Sequence, residues 1–99
     1  MVIKTNAVAG TMESSDIMIT VGPSLEPGIS VDLKSSVLEQ FGDQIRDEII
    51  KVMREHKVDR ANVTAVDRGA LDCTVRARVA TALYRACACV EEAWNGGSN

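Results

Sequence analysis

Residues 7–21 read AVAGTMESSDIMITV, and this stretch decides how the chain begins to fold. Residues 17–21 alternate between branched apolar side chains and other residue types, which is the two-residue period of a strand with one buried face. Residues 7–11 form a second apolar stretch before it. Because only the polar segment 13–16 separates the two stretches, the sequence predicts a β-hairpin with Ser14 at its tip.

The remaining chain combines strand and helix patterns. Residues 29–33 alternate again and predict a third strand. A helix is expected next, with Ser36 as its N-cap and Glu39 completing a capping box. Residues 61–66 predict a fourth strand, and residues 70–90 predict a second helix. The apolar stripe of the first helix comprises Phe41, Ile45, Ile49, Val52, Met53 and His56. The predicted buried stripe of the second comprises Leu71, Val75, Val79, Ala82, Leu83, Ala86 and Val90.

The predicted order of elements is therefore β-β-β-α-β-α. Two amphipathic helices and an alternating sheet favour an α+β fold, a two-layer sandwich of about four mostly antiparallel strands with both helices on one face. Half-polar strands favour a sheet whose other face is open to water or to a partner. Gly10 indicates a bulge or a close approach by another backbone. We expect one domain, residues 1–93, followed by a flexible tail at residues 94–99.

Composition narrows the possible function classes. The 99 residues carry a net charge of −3, and only three of them are aromatic. Because no basic stripe is interleaved with aromatic side chains, nucleic-acid binding is not expected. No apolar run approaches the ~18 residues needed to span a bilayer, and the N-terminus lacks the charged and apolar regions of a secretory signal. The expected location is the cytoplasm, with no membrane partner.

Candidate catalytic residues are few. A serine nucleophile needs a base and a group that orients the base, and the one histidine, His56, is far along the chain from Ser14. Glu13 and Asp16 are better explained as residues that cap and solvate the turn. The Asp-Arg-Gly segment at residues 67–69 is explained as the turn into the second helix. An exposed hydroxyl without a base suits a substrate or a carrier better than an enzyme.

The cysteines indicate neither a disulfide framework nor a metal site. Cys73, Cys87 and Cys89 are odd in number and confined to the C-terminal third. The spacing of the last two is not that of a zinc-binding pair, and no second pair of ligands accompanies them. We therefore expect Cys73 and Cys87 to be small buried hydrophobic residues.

Three segments, in the right order, carry a resemblance to a known family. The first is AVAGTMESSD at residues 7–16. The second is SSV at residues 35–37 with QFGDQIR at residues 40–46. The third is DRGALDCTVRAR at residues 67–78. From residue 7 to about residue 86, the chain resembles the citrate lyase acyl carrier protein, which is the gamma subunit of that complex.

The resemblance implies that residues 1–93 are an acyl carrier domain without catalytic activity of its own. The family's serine in the AGT-x-ES motif, here Ser14, carries 2'-(5''-phosphoribosyl)-3'-dephospho-CoA through a phosphodiester bond. The thiol of that group holds the acetyl or citryl thioester while citrate is cleaved to acetate and oxaloacetate. The implied partners are the catalytic alpha and beta subunits, a prosthetic-group transferase and an acetylating ligase.

The flanking charges suggest how such a carrier would dock. Glu13 and Asp16 lie on either side of Ser14, so we expect the turn to repel the anionic arm and to favour basic surfaces on the partners. Arg76 and Arg78, expected on the exposed face of the second helix, are further docking candidates.

Several alternatives remain open at this point. The carrier subunit of malonate decarboxylase uses the same group on a similar small protein. Citramalate lyase would differ only in the acid, which the partner subunits choose. Ser15 is a second hydroxyl acceptor beside Ser14. An unmodified interaction scaffold, or a small hydrolase that uses Ser14, would belong to other function classes.

Overall fold

The computed structural model describes residues 2–35 and 38–92. It contains four strands and two helices in the predicted order. These are β1 (Ala7–Ala9), β2 (Ile17–Gly22), β3 (Gly28–Ser35), α1 (Leu38–Glu55), β4 (Arg60–Asp67) and α2 (Asp72–Glu92). The predicted N-cap Ser36 and the predicted tail at residues 94–99 lie outside the described residues.

The four strands form one sheet in the order β1-β2-β4-β3. Strand β2 pairs antiparallel with β1 and with β4, whereas β3 pairs parallel with β4. A parallel pair needs a crossover connection, and α1 provides it between β3 and β4. The sheet is therefore mixed and mostly antiparallel, which confirms the predicted α+β fold.

One face of the sheet and the apolar stripes of both helices form the core. Ile17, Ile19 and Val21 of β2 are fully buried, as the alternation predicted. The buried residues of the helices are Ile45, Ile49, Val52 and Met53 in α1, and Val75, Val79, Ala82, Leu83 and Ala86 in α2. Since burying each aliphatic side chain contributes about 1.5–3 kcal/mol, this layer provides most of the force that holds the helices on the sheet. Neither helix, over its described residues, has the length and hydropathy needed to cross a membrane.

Three details differ from the predictions. Strand β1 ends at Ala9 rather than at residue 11, because Gly10 adopts a φ of 95° and turns the chain away from the sheet. Leu71 was predicted to be buried but is 70% exposed, because it precedes the first residue of α2. Cys73 was also predicted to be buried, but it lies in the exposed first turn of that helix.

The register of the sheet brings two loops to the same end of the molecule. Ile17, the first residue of β2, pairs with Asp67, the last residue of β4. The loop before β2 (residues 10–16) therefore lies beside the loop after β4 (residues 68–71). These two loops contain parts of the first and third of the segments that carry the family resemblance.

Candidate functional site

Residues 13–16 form a tight turn at the tip of the β1–β2 hairpin. The amide of Asp16 donates a hydrogen bond to the carbonyl oxygen of Glu13 at 3.2 Å, the pattern of a β-turn. Ser14 occupies the second position of the turn and Ser15 the third. Ser15 has a φ of 65°, in the left-handed region that the third position of several turn types requires.

Both serine side chains are exposed. Within residues 2–35 and 38–92, no hydrogen bond engages the hydroxyl of Ser14. The amide of Ser15, in contrast, donates to the carbonyl oxygen of Arg68 at 2.7 Å. The backbone after Ser14 is therefore anchored, while the Ser14 hydroxyl is left to solvent.

Asp16 ties the base of the turn to the body of the protein. Its Oδ2 accepts hydrogen bonds from the amide and the hydroxyl of Thr11, at 3.1 and 2.6 Å, and its Oδ1 accepts one from the amide of Ile17 at 2.7 Å. Arg78 of α2 adds a two-pronged ion pair, with Nε 3.0 Å from Oδ1 and Nη2 3.0 Å from Oδ2. This geometry is the strong, planar form of an arginine–carboxylate contact.

These contacts stabilise the charged form of Asp16. The hydrogen bonds from Arg78, followed by those from Thr11 and Ile17, hold the pKa of the Asp16 carboxyl well below its ordinary value of 3.8. The expectation that Asp16 repels the arm and offers negative charge to a partner is wrong, because Asp16 is buried and paired. Of the two acids beside the serines, Glu13 alone is exposed.

The loop after β4 supports the turn from the other side. The amide of Arg68 donates to the carbonyl oxygen of Asp16 at 2.9 Å. The buried carboxylate of Asp67 shapes this loop by accepting hydrogen bonds from the amides of Gly69 at 3.1 Å and Ala70 at 3.0 Å. The Asp-Arg-Gly segment thus supports the turn of residues 13–16, called the serine turn below, and also leads into α2.

Gly10 permits a close approach within the hairpin, as the sequence predicted. A Cβ at this position would overlap the carbonyl oxygen of Ile17 and lie 3.2 Å from Cδ of Arg78. The φ of 95° is also unfavourable for any residue with a side chain. A glycine here therefore allows the Arg78 side chain to pass over the hairpin and reach Asp16.

We expect Gly10→Ala to lower the free energy of unfolding by about 2 kcal/mol, since it adds a steric overlap to backbone strain. Gly28→Ala is the matched control. Gly28 has a similar φ of 101°, but a Cβ added there would meet nothing within 4 Å, so Gly28→Ala loses stability through backbone strain alone, about 1 kcal/mol. Denaturant titration of both variants measures the difference. Equal losses would contradict the importance of the close approach.

His56, the one histidine, and Arg76, a docking candidate, both make structural contacts. His56 is half-buried at the C-terminal end of α1, and its Nδ1 lies 2.9 Å from the carbonyl oxygen of Val52. Arg76 forms ion pairs with Glu48 at 2.5 Å and with Glu55 at 2.8 Å, so it links α2 to α1 and is not a free docking group. The side chains of the described residues form no group of His, Cys, Asp and Glu suited to a metal ion.

An open cavity of about 580 Å³ lies next to the Arg68 loop. Its lining residues are Gln44, Ile45, Gly69, Ala70, Leu71, Asp72 and Cys73. The exposed Leu71 and Cys73 are therefore part of a shallow, partly apolar surface at the same end of the molecule as the serine turn. Ile45 belongs to the second of the three segments that carry the family resemblance, and its position in α1 places it at this end of the molecule.

Sequence reasoning missed the roles of Arg78 and Asp67, although each carried a signal. Arg78 was placed on the exposed face of α2, but it follows Val75 by three residues and precedes Ala82 by four, so it borders the packed face. Asp67 continues the two-residue alternation of Ala61, Val63 and Ala65, which predicts an inward side chain. A polar residue at such a position indicates a structural hydrogen-bond network.

The chain can now be compared with known proteins. Residues 4–86 match the family described as Malonate decarboxylase delta subunit, an acyl carrier protein family. A protein of Streptococcus mutans serotype c, named citrate lyase acyl carrier protein, is 57% identical over 84 residues, which cover 85% of this chain and 82% of the relative. A protein of the same name from Fusobacterium nucleatum is 51% identical over 86 residues, covering 87% and 92%.

A similar fold is found in a solved structure. One chain of the crystal structure of a Pseudomonas malonate decarboxylase hetero-tetramer in complex with malonate superposes with a TM-score of 0.67 over 84% of each chain. The sequence identity to that chain is 18%, so this likeness concerns the fold alone.

Proposed function

The chain belongs to the citrate lyase acyl carrier protein family, and from this membership we propose that it is the carrier subunit of a citrate lyase complex. The prosthetic group we propose is 2'-(5''-phosphoribosyl)-3'-dephospho-CoA, joined by a phosphodiester bond to the Ser14 hydroxyl. When bound, this group supplies a thiol that carries the acyl group as a thioester. The chain holds the group and leaves the acid–base chemistry to its partners.

The observation that carries this proposal is the Ser14 hydroxyl, which is exposed and without a hydrogen-bond partner among the described residues. A hydroxyl on a protruding turn can enter the active site of a modifying enzyme without disturbing the sheet. The anchored Ser15 amide and the Asp16 network hold the turn in one shape, which lowers the entropic cost of presenting Ser14 to another protein. These features fit a covalently attached group.

The same geometry fits a carrier better than a hydrolase. The acid nearest in sequence on the C-terminal side, Asp16, already accepts hydrogen bonds from Thr11, Ile17 and Arg78, and its low pKa makes it a weak base. His56 lies just past the end of α1, where its Nδ1 contacts the carbonyl oxygen of Val52. Among the described residues, no hydrogen bond joins Ser14 to the base and orienting group that nucleophilic catalysis needs.

A long arm rooted on a rigid turn explains how one small protein serves several active sites. Tethering keeps the acyl group at a high effective concentration near each site. The proposed partners are the alpha and beta subunits of citrate lyase, a prosthetic-group transferase and an acetylating ligase, in the cytoplasm. Relatives at 50% identity or more bear the citrate lyase name, which favours this complex over a malonate decarboxylase.

Reconstitution tests the proposal. We expect the loaded chain, acetylated on the thiol of its arm and mixed with purified citrate lyase alpha and beta subunits, to give citrate-dependent formation of oxaloacetate, while the unloaded chain gives none. Malonate and citramalate are assayed in parallel, with malonate decarboxylase subunits as the alternative partners. Decarboxylation of malonate without cleavage of citrate would assign the chain to the other complex.

A further inference from the structure

Arg68 touches the serine turn from both sides of Ser14. Its backbone lies beside the residues that follow Ser14, since its amide bonds to Asp16 and its carbonyl oxygen accepts from Ser15. Its guanidinium lies beside a residue that precedes Ser14, because Nη1 donates to the carbonyl oxygen of Met12 at 3.1 Å. Met12 precedes Ser14 by two residues, which span at most about 7 Å of chain, so the guanidinium lies beside the turn that carries the Ser14 hydroxyl.

Among the described residues, no carboxylate forms an ion pair with this guanidinium. Asp16 is neutralised by Arg78, and Arg68 is itself exposed. A guanidinium offers five N–H donors, and the contacts among the described residues use one of those on Arg68, toward an uncharged carbonyl. The remaining donors make no hydrogen bond among the described residues, and the side chain is exposed beside the turn where an anion would be attached.

We propose that Arg68 binds the phosphate that joins the prosthetic arm to Ser14. This inference rests on the proposed function and adds a residue that recognises the phosphodiester anion. Arginine forms paired hydrogen bonds to phosphate oxygens, and such charge-assisted bonds are roughly twice as strong as bonds between neutral groups. The guanidinium therefore exchanges its Met12 contact for the phosphate once the arm is attached, and the root of the arm is held against the turn.

Phosphorus NMR of the loaded, full-length chain tests this contact. We expect the chemical shift of the Ser14-linked phosphorus to change as NaCl rises from about 0.05 to about 0.5 M, because salt screens an exposed ion pair. In loaded Arg68→Gln this salt dependence disappears. Arg68→Lys keeps the charge without the planar fork, so it retains part of the effect.

Arg60→Gln is the matched control. Arg60 is also exposed, also donates Nη1 to a loop carbonyl, that of Leu25 at 3.3 Å, and begins the strand that Asp67 ends. The Arg60→Gln variant therefore loses an equivalent surface contact at the other end of β4. When it is loaded, the salt dependence of its phosphorus chemical shift should match that of the wild type.

Thermal unfolding provides a second readout that does not depend on lyase activity. We expect loading to raise the Tm of the wild type and of Arg60→Gln by about 1–5 °C, the size of an exposed ion pair in a domain of this length. Loading should leave the Tm of Arg68→Gln unchanged.

The outcomes separate this inference from the one it rests on. If loaded Arg68→Gln keeps both the wild-type salt dependence and the wild-type rise in Tm, Arg68 does not bind the phosphate, although the carrier role stands. If the wild-type chain takes no phosphodiester at all in the presence of an active transferase, the proposed function fails and the Arg68 site fails with it.

Discussion

Ser14→Ala leaves the fold intact and abolishes covalent loading of the carrier. The side chain is exposed and makes no hydrogen bond among the described residues, so its removal costs the folded state little. The same change deletes the oxygen that the phosphodiester needs. We therefore expect the loaded fraction to fall from nearly complete to zero, while the Tm stays within about 2 °C of the wild type.

The control for this experiment is Ser15→Gly. Glycine tolerates the φ of 65° at this position, and the amide that donates to Arg68 is kept, so the variant removes the second hydroxyl and little else. We expect full loading of Ser15→Gly. A loaded Ser14→Ala chain that carries the group on Ser15 would overturn the choice of Ser14.

Asp16→Ala lowers the Tm by about 15 °C and disorders the serine turn. The substitution removes the acceptor for two N–H groups and one hydroxyl of the hairpin, and it leaves Arg78 without its carboxylate. Breaking a hydrogen-bonded charge network is one of the few routes to a large single-site loss. Asp32→Ala, at an exposed carboxylate of β3, is the control and should change the Tm by about 2 °C or less.

The Asp16 network also makes stability depend on acid. Because folding lowers the pKa of Asp16 below 3.8, the unfolded chain binds a proton at this carboxyl first as the pH falls. The contribution of Asp16 is thus fully present above about pH 5 and is lost progressively below about pH 4.

Urea unfolding of the wild type and Asp16→Asn from pH 7 to pH 3 measures this effect. The gap between their midpoints should be constant at the upper end of the range and should narrow below about pH 4. A gap that is unchanged down to pH 3 would show that the charge of Asp16 does not stabilise the fold.

The local elements of this protein follow from short-range patterns, and the sequence was sufficient to predict them. The alternation of residues 17–21 predicted β2, and the spacing from Ile45 to Met53 predicted the buried face of α1. The sheet order could not be predicted in the same way, because periodicity shows which face a strand buries but not which strand lies beside it. The parallel pairing of β3 with β4 is of this kind.

The candidate site could be predicted only in part, because short-range patterns do not show which distant residues meet in the fold. A polar segment between two apolar strands was enough to place Ser14 on an exposed turn. The groups that hold this turn, Arg68 and Arg78, lie more than fifty residues away, and only the fold brings them next to it. Without those contacts, Asp16 was interpreted as a solvated acid, whereas it is the buried centre of the network.

Intact-mass measurement with peptide mapping tests the central claim most directly. The protein is isolated from cells that also express the citrate lyase subunits and the transferase. The proposal predicts a mass increase equal to phosphoribosyl-dephospho-CoA, confined to the peptide that contains residues 13–16 and assigned by fragmentation to Ser14. An unmodified chain, isolated where the transferase is shown to load a related carrier, would contradict the carrier role and favour an interaction scaffold.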